Sequence, residues 1–236
     1  MKKLLSVAVA LLAMVAVADP YSPTIGVTKI TTSSVNAIIP VPYTSLADAT
    51  AEVSLSDLVR TTNLKSGTWL LAFDGTQYEG WTLQSDGGSW TSAQYASDDL
   101  AGTTIAAGAS KKTLKAGGAF WIILPAAEST DIYVYGSYSS SVTSTIPAGK
   151  TLLIANPKQA AATPSISGAS NGDVITIING ATTEVYSFNG TAWGSYVKQA
   201  TGLPTWTAHT FSSMAQGTGF WYKSAAATGD VTISWQ

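Results

Sequence analysis

The sequence contains no cysteine and a single histidine, His209, and only 11% of its 236 residues are charged. Each shortage excludes something. Without cysteine there is no disulfide framework, so packing alone must hold the chain together. With no thiolate and one imidazole, zinc and other metals bound through sulfur or nitrogen lack a ligand set. No Gly-x-Ser-x-Gly elbow stands ready to work with His209, which leaves a Ser-His-Asp hydrolase without its signature. The glycine-containing stretch GASNGD (168–173) lacks the lysine and the following helix of a phosphate-cradling loop. The net charge of −2 offers no basic footprint for nucleic acid or for an anionic membrane surface. Lys111, Lys112 and Lys115 form the one basic cluster, and three lysines are too few for a nucleic-acid groove. Asp98 and Asp99 are the one adjacent acidic pair; they read as a solvated loop rather than a calcium site. No cofactor is expected.

The chain opens on MKKLLSVAVALLAMVAVADP. Lys2 and Lys3 precede an apolar run from Leu4 to Val17, and Ala16-Val17-Ala18 supplies small residues where a signal peptidase reads. This pattern predicts a cleaved signal peptide over residues 1–18, export from a bacterial cell, and no transmembrane segment after cleavage. The remainder is rich in Ser, Thr, Gly and Ala, with 8 Trp and 10 Tyr. Helices need Glu, Lys, Arg and Gln to cover their outer faces, whereas strands can be covered by Thr and Ser. The composition therefore predicts an all-β protein.

The patterning repeats. Gly117-Gly118-Ala119-Phe120-Trp121 and Gly217-Thr218-Gly219-Phe220-Trp221 each precede an apolar run. GTWLLAFDGTQYEGWTL (67–83) matches GDVITIINGATTEVYSF (172–188), each reading as strand, tight turn, strand, with expected turns at Asp74-Gly75 and Asn179-Gly180. A further turn then leads to Trp90 in one copy and, through Asn189-Gly190, to Trp193 in the other, making a three-strand meander in each. DIYVYG (131–136) and DVTISW (230–235) close the copies. Four matched elements in one order predict two tandem homologous units, 19–136 with an N-terminal extension and 137–236, each a sandwich or a partly closed barrel. In each Gly-Phe-Trp strand, alternation puts one aromatic ring in the core and the other on the outer face or at the contact between units. Ser54 with Leu55, Leu58 and Val59 predicts one short helical turn.

Trp and Tyr are the remaining chemistry. Exported β domains stack sugar rings on exposed aromatics, and Trp90, Trp193 and Trp206 sit near turns, while Tyr133 and Tyr135 share one strand face. These five are the candidate glycan or partner contacts; the competing reading is that they fill a core. Glu79 and Glu184 take equivalent places in the two hairpins and are the one candidate carboxylate pair for a glycosidase. The Gly-Phe-Trp strand at 217–221, YSFNGTAW (186–193) and the closing strand at 230–235 resemble uncharacterised bacterial secreted β-repeat proteins. That resemblance implies an extracellular or surface role. The expectation is a non-enzymatic structural or adhesive protein that associates with itself. A carbohydrate-binding module is the alternative, and a hydrolase ranks third.

Overall fold

The computed structural model describes residues 25–47, 52–73, 75, 77–85, 88–96, 104–107, 113–138, 142–158, 160–179, 182–197, 203–216 and 218–236. They are all-β, with one four-residue helix, and the small sheets are set like the blades of a four-bladed propeller. No helix among the described residues is long and apolar enough to cross a membrane.

In the N-terminal half, a small sheet runs β1 (Ile25–Thr32), β13 (Thr130–Tyr138), β3 (Tyr43–Thr44), with β5 (Val59–Arg60) also on β13. A large sheet runs β2 (Asn36–Pro40), β12 (Ala119–Ile123), β6 (Trp69–Phe73), β7 (Tyr78–Leu83), β10 (Thr104–Ala107), β9 (Tyr95–Ala96), and β8 (Trp90–Ser92) also pairs with β7. β4 (Val53–Ser54) and β11 (Thr113–Leu114) form a separate ladder. In the C-terminal half, the small sheet runs β14 (Thr143–Ile146), β22 (Val231–Trp235), β16 (Pro164–Ser167). The large one runs β15 (Thr151–Ala155), β21 (Gly219–Lys223), β17 (Val174–Asn179), β18 (Thr182–Phe188), β19 (Trp193–Val197), β20 (Thr205–Ala208). Among the described residues, neither large sheet closes on itself.

Burial follows the period of two. On β12, Phe120 and Ile122 are buried and Trp121 faces the other way; on β21, Phe220 and Tyr222 are buried and Trp221 faces away. The inward residues build two separate cores. One joins Ile39, Tyr43, Leu70, Trp81, Leu83, Phe120, Ile132 and Val134, and the other Ile146, Ile154, Ile175, Phe211, Phe220, Tyr222, Val231, Ile233 and Trp235. The helix α1 (Leu55–Leu58) seals the first core with Leu55 and Leu58, and Ser54 Oγ accepts from the Asp57 amide at 3.3 Å to cap it. Val59 begins β5 instead of extending the helix.

The outward faces of the two large sheets meet. Trp221 stands edge-on to Phe73 (5.3 Å between centroids) and to Tyr78 (5.9 Å). Burial there pushes the Tyr78 phenol up to about 12. A β-bridge joins Gly118 to Ile154, and Ser144 Oγ donates to the Gly117 carbonyl at 2.7 Å. A Cβ on Gly117, whose φ is +87°, would lie 2.5 Å from that hydroxyl, so the contact requires glycine on two counts.

Two local expectations are corrected. Asp74-Gly75 is not a two-residue turn: Phe73 pairs with Tyr78, so residues 74–77 form the connection. Its Gly75 (φ +95°) lies against Leu152 and Lys150 of the C-terminal half, so the junction shapes this loop. Asn179 pairs with Thr182, which makes it the last strand residue and leaves 180–181 as the connection; Gly180 lies outside the described residues. In the 189–192 loop, Gly190 does take a positive φ (+91°), and Asn189 Oδ1 accepts from the amides of Thr191 (3.0 Å) and Ala192 (2.8 Å). The closing strand read at 131–136 is also longer: β13 runs past Gly136 to Tyr138, and the Tyr43 ring packs over the cross-strand pair Gly26–Gly136.

Candidate functional site

The sequence-predicted aromatics divide among three places. Trp90 lies opposite Leu83 and packs on the first core. Trp193 lies opposite Phe188 and packs on the second core, with centroids 5.3 Å from Phe188, 5.8 Å from Phe211 and 5.8 Å from Tyr222. Both rings are half-buried and face inward. Tyr133 and Tyr135 alternate outward on β13, opposite Lys29 and Val27 of β1. The Arg60 guanidinium lies 5.8 Å from the Tyr135 centroid, and its Nη1 donates to the Tyr135 hydroxyl at 3.4 Å. Beside them Lys29 pairs with Asp131 at 2.8 Å. The hydrogen bond from Lys29, joined by one from Thr31, holds the Asp131 carboxyl below its ordinary value. This face is aromatic but rimmed by paired charges.

Trp206 stands on β20, the last strand of the second large sheet, and on its outward face. Its register partner is Tyr196, the two rings meeting edge to face at 5.1 Å. Trp206 lies down on the sheet because residue 194 is glycine: a Cβ there would be 2.8 Å from the indole. Tyr196 is 71% exposed. Gly194 pairs with Ser187, so Val185, two residues earlier on β18 and 52% exposed, shares this face. Leu203, 86% exposed, precedes β20. The strand itself, Thr205-Trp206-Thr207-Ala208, carries no charge and, among the described residues, stands at the end of the strand order next to β19. Here the structure assembles an aromatic and aliphatic patch around the strand that ends the described sheet. Tyr196 and Val185 went unnoticed in the sequence; the signal available was that Gly194 and Tyr196 share the parity of Trp206 once WGSYV and TWTA are set antiparallel.

The opposite face of the same strands holds His209. Its ring stacks on Tyr186 (3.9 Å, 19°) and meets Phe211 edge-on at 5.0 Å. Among the described residues, no hydrogen bond joins that ring to a carboxylate or hydroxyl. Tyr186 donates to Glu184 at 2.8 Å, and its phenol is raised first by burial and then by that carboxylate. Glu79 and Glu184 stand in different sheets, on β7 and β18. Lys115 pairs with Glu52 at 3.7 Å; Lys111, Lys112, Asp98 and Asp99 lie outside the described residues. Among the described residues, no three His, Asp or Glu side chains cluster to hold a metal ion.

The chain matches no family model, no curated protein and no solved structure.

Proposed function

We propose that this is a non-enzymatic, exported structural or adhesive protein, made of two tandem homologous β units, that acts by associating with copies of itself. The observation that carries the reading is the exposed apolar group Tyr196, Val185 and Leu203 around the uncharged strand β20, which ends the six-stranded sheet among the described residues. Single exposed apolar residues are ordinary, but a group of them at the end of a sheet is a candidate contact surface. Two copies of β20 side by side and antiparallel would extend the six-stranded sheet across a two-fold axis without opposing like charges. Support for the duplication comes from the two strand orders. β1-β13-β3 corresponds to β14-β22-β16, and β2-β12-β6-β7 to β15-β21-β17-β18. Each half also has its own core. Support for export is the sequence pattern of residues 1–18 alone.

The test is sizing and negative-stain microscopy of the protein from residue 19 onward, beside Tyr196→Lys and Leu203→Lys, both at exposed positions. Oligomers or fibres that the lysine variants dissolve into monomers are expected. A monomer at every concentration overturns the reading.

One observation favours carbohydrate binding as the second reading: the Trp206 indole laid over Gly194 of the neighbouring strand, with Tyr196 beside it, offers a ring face to a pyranose. It predicts a monomer whose tryptophan fluorescence is quenched by soluble polysaccharide, an effect lost in Trp206→Ala.

A further inference from the structure

The outer faces of the two small sheets differ, although the strands beneath them match in register. Val134 lies opposite Thr28 on one side and Val59 on the other, and Ile233 lies opposite Ser144 and Ile166. Setting Val134 on Ile233 puts Tyr133 with Thr232, Tyr135 with Ser234, Lys29 with Thr145, Val27 with Thr143 and Arg60 with Ser167. In the C-terminal half these outward positions are all threonine or serine, an ordinary cover for a pleated surface. In the N-terminal half they are two tyrosines, a lysine, a valine and an arginine. The shared frame does not require these larger side chains, and it leaves Val27 45% exposed.

Tyr133 and Tyr135, both half-buried, leave β13 on one side, about 7 Å apart along the strand. On the β5 side, Arg60 is held at two points: its Nε donates to Thr62 Oγ1 at 3.1 Å and its Nη1 to the Tyr135 hydroxyl at 3.4 Å. On the β1 side, Asp131 accepts from Lys29 at 2.8 Å and from the Thr31 hydroxyl at 2.6 Å. Two rings thus stand between an oriented guanidinium and an oriented ammonium–carboxylate pair. A pyranose with equatorial hydroxyls has the complementary form. Its ring C–H groups make a flat apolar face that lies on an aromatic ring, and its hydroxyls point outward from the rim, where they donate and accept. Other polymers fit less well. A peptide that adds a strand uses a sheet edge, not a sheet face. A nucleic acid would set its phosphates against the Asp131 carboxylate. We propose that the outer face of β1, β13 and β5 binds a neutral polysaccharide of equatorially substituted pyranoses, its rings on Tyr133 and Tyr135 and its hydroxyls bonded by Arg60 and Asp131. This face shares no residue with the Trp206 patch, so the inference stands apart from self-association and from sugar binding at β20.

The experiment is calorimetric titration of the protein from residue 19 onward with cellohexaose and xylohexaose, beside a double variant that copies the other half, Tyr133→Thr with Tyr135→Ser. Saturable binding of at least one oligosaccharide is expected. Tyr135→Ala alone should weaken it about tenfold, while Tyr135→Phe keeps most of it, because the ring and not the hydroxyl carries the stacking. The Thr/Ser variant should lose binding and still melt cooperatively near the wild-type midpoint. Trp206→Ala should bind as the wild type does. The proposal is overturned by the absence of saturable binding to both sugars, or by binding that survives in the Thr/Ser variant. Binding lost in Trp206→Ala overturns it in favour of the β20 patch. A Thr/Ser variant that does not fold overturns it too, since the frame would then need the two rings for itself.

Discussion

The strand that launches each meander is entered through the same turn, built with opposite chemistry in the two halves. In the N-terminal half, the Thr68 amide donates to the Lys65 carbonyl at 3.1 Å, and the Thr68 hydroxyl donates to that same carbonyl at 2.7 Å. In the C-terminal half, the Asp173 amide donates to Ser170 at 3.0 Å, but the side chain accepts, taking the Ser170 amide at 2.9 Å. Asp173 then reaches further, accepting from the Tyr222 hydroxyl and from the Ala225 amide, each at 2.6 Å. The residue two beyond Phe120, matching Tyr222, is Ile122, which asks for nothing. Thr68 and Asp173 are both fully buried. A buried carboxylate is tolerable only with its donors in place, so the aspartate and the tyrosine depend on each other. One backbone frame therefore accommodates either a self-sufficient hydroxyl or a three-donor carboxylate cage.

The largest test of that comparison removes what the halves share. Phe120→Ala and Phe220→Ala should each cost about 3–5 kcal/mol in chemical denaturation. Because the cores are separate, each variant should unfold its own half first, giving two transitions; one common transition would make the halves a single cooperative unit.

The next tests what they do not share. Asp173→Thr leaves the Tyr222 hydroxyl and the Ala225 amide without their acceptor, at about 1–3 kcal/mol each. Adding Tyr222→Phe removes one orphan, so the double variant should be less destabilised than the two singles summed, by about 1–2 kcal/mol. Strict additivity would mean that the cage is not a unit. Tyr222 also links this joint to pH. Burial, then its bond to Asp173, raises the phenol above its ordinary value. Its contribution is complete below the unfolded tyrosine pKa and is lost as pH rises beyond it, since the unfolded chain ionises first. Stability should fall with rising alkaline pH, and less steeply in Tyr222→Phe.

The smallest expected effect is at the 189–192 loop. Gly190→Val forces a β-branched residue to positive φ and should cost about 1–2 kcal/mol. Gly190→Asn should cost much less, as asparagine tolerates that region. Equal losses would place the penalty in contacts instead of backbone conformation.

Features that depend on neighbours in sequence were legible there. The all-β composition, the two meanders, the Ser54 cap and the opposite facing of Phe and Trp at 120–121 and 220–221 follow from alternation and local hydrogen bonding; which of the two rings turns inward does not. What was not legible depends on distant residues. The closing strand reads as ending at Gly136 until Tyr43 is found packed over that glycine. Gly75 reads as half of a tight turn until Leu152 is found against it. Trp206 was visible as an aromatic near a turn, but not that it would lie over Gly194 next to an exposed Tyr196. Trp90 and Trp193 looked equally available from their turns, and strand parity sends both inward.

The closing strands have a mechanical consequence. β13 lies between β1 and β3, and β22 between β14 and β16, so the chain leaves each half through the middle of a small sheet. Tension applied at Trp235 runs along β22 and loads the ladders to both neighbours together in shear. The opposite point of attachment is weaker. Ile25 begins β1, whose one strand partner among the described residues is β13, so a pull from that side meets a single ladder there. A chain stretched between these two points would yield first at β1, lengthening there while the sheet around β22 still bears the load.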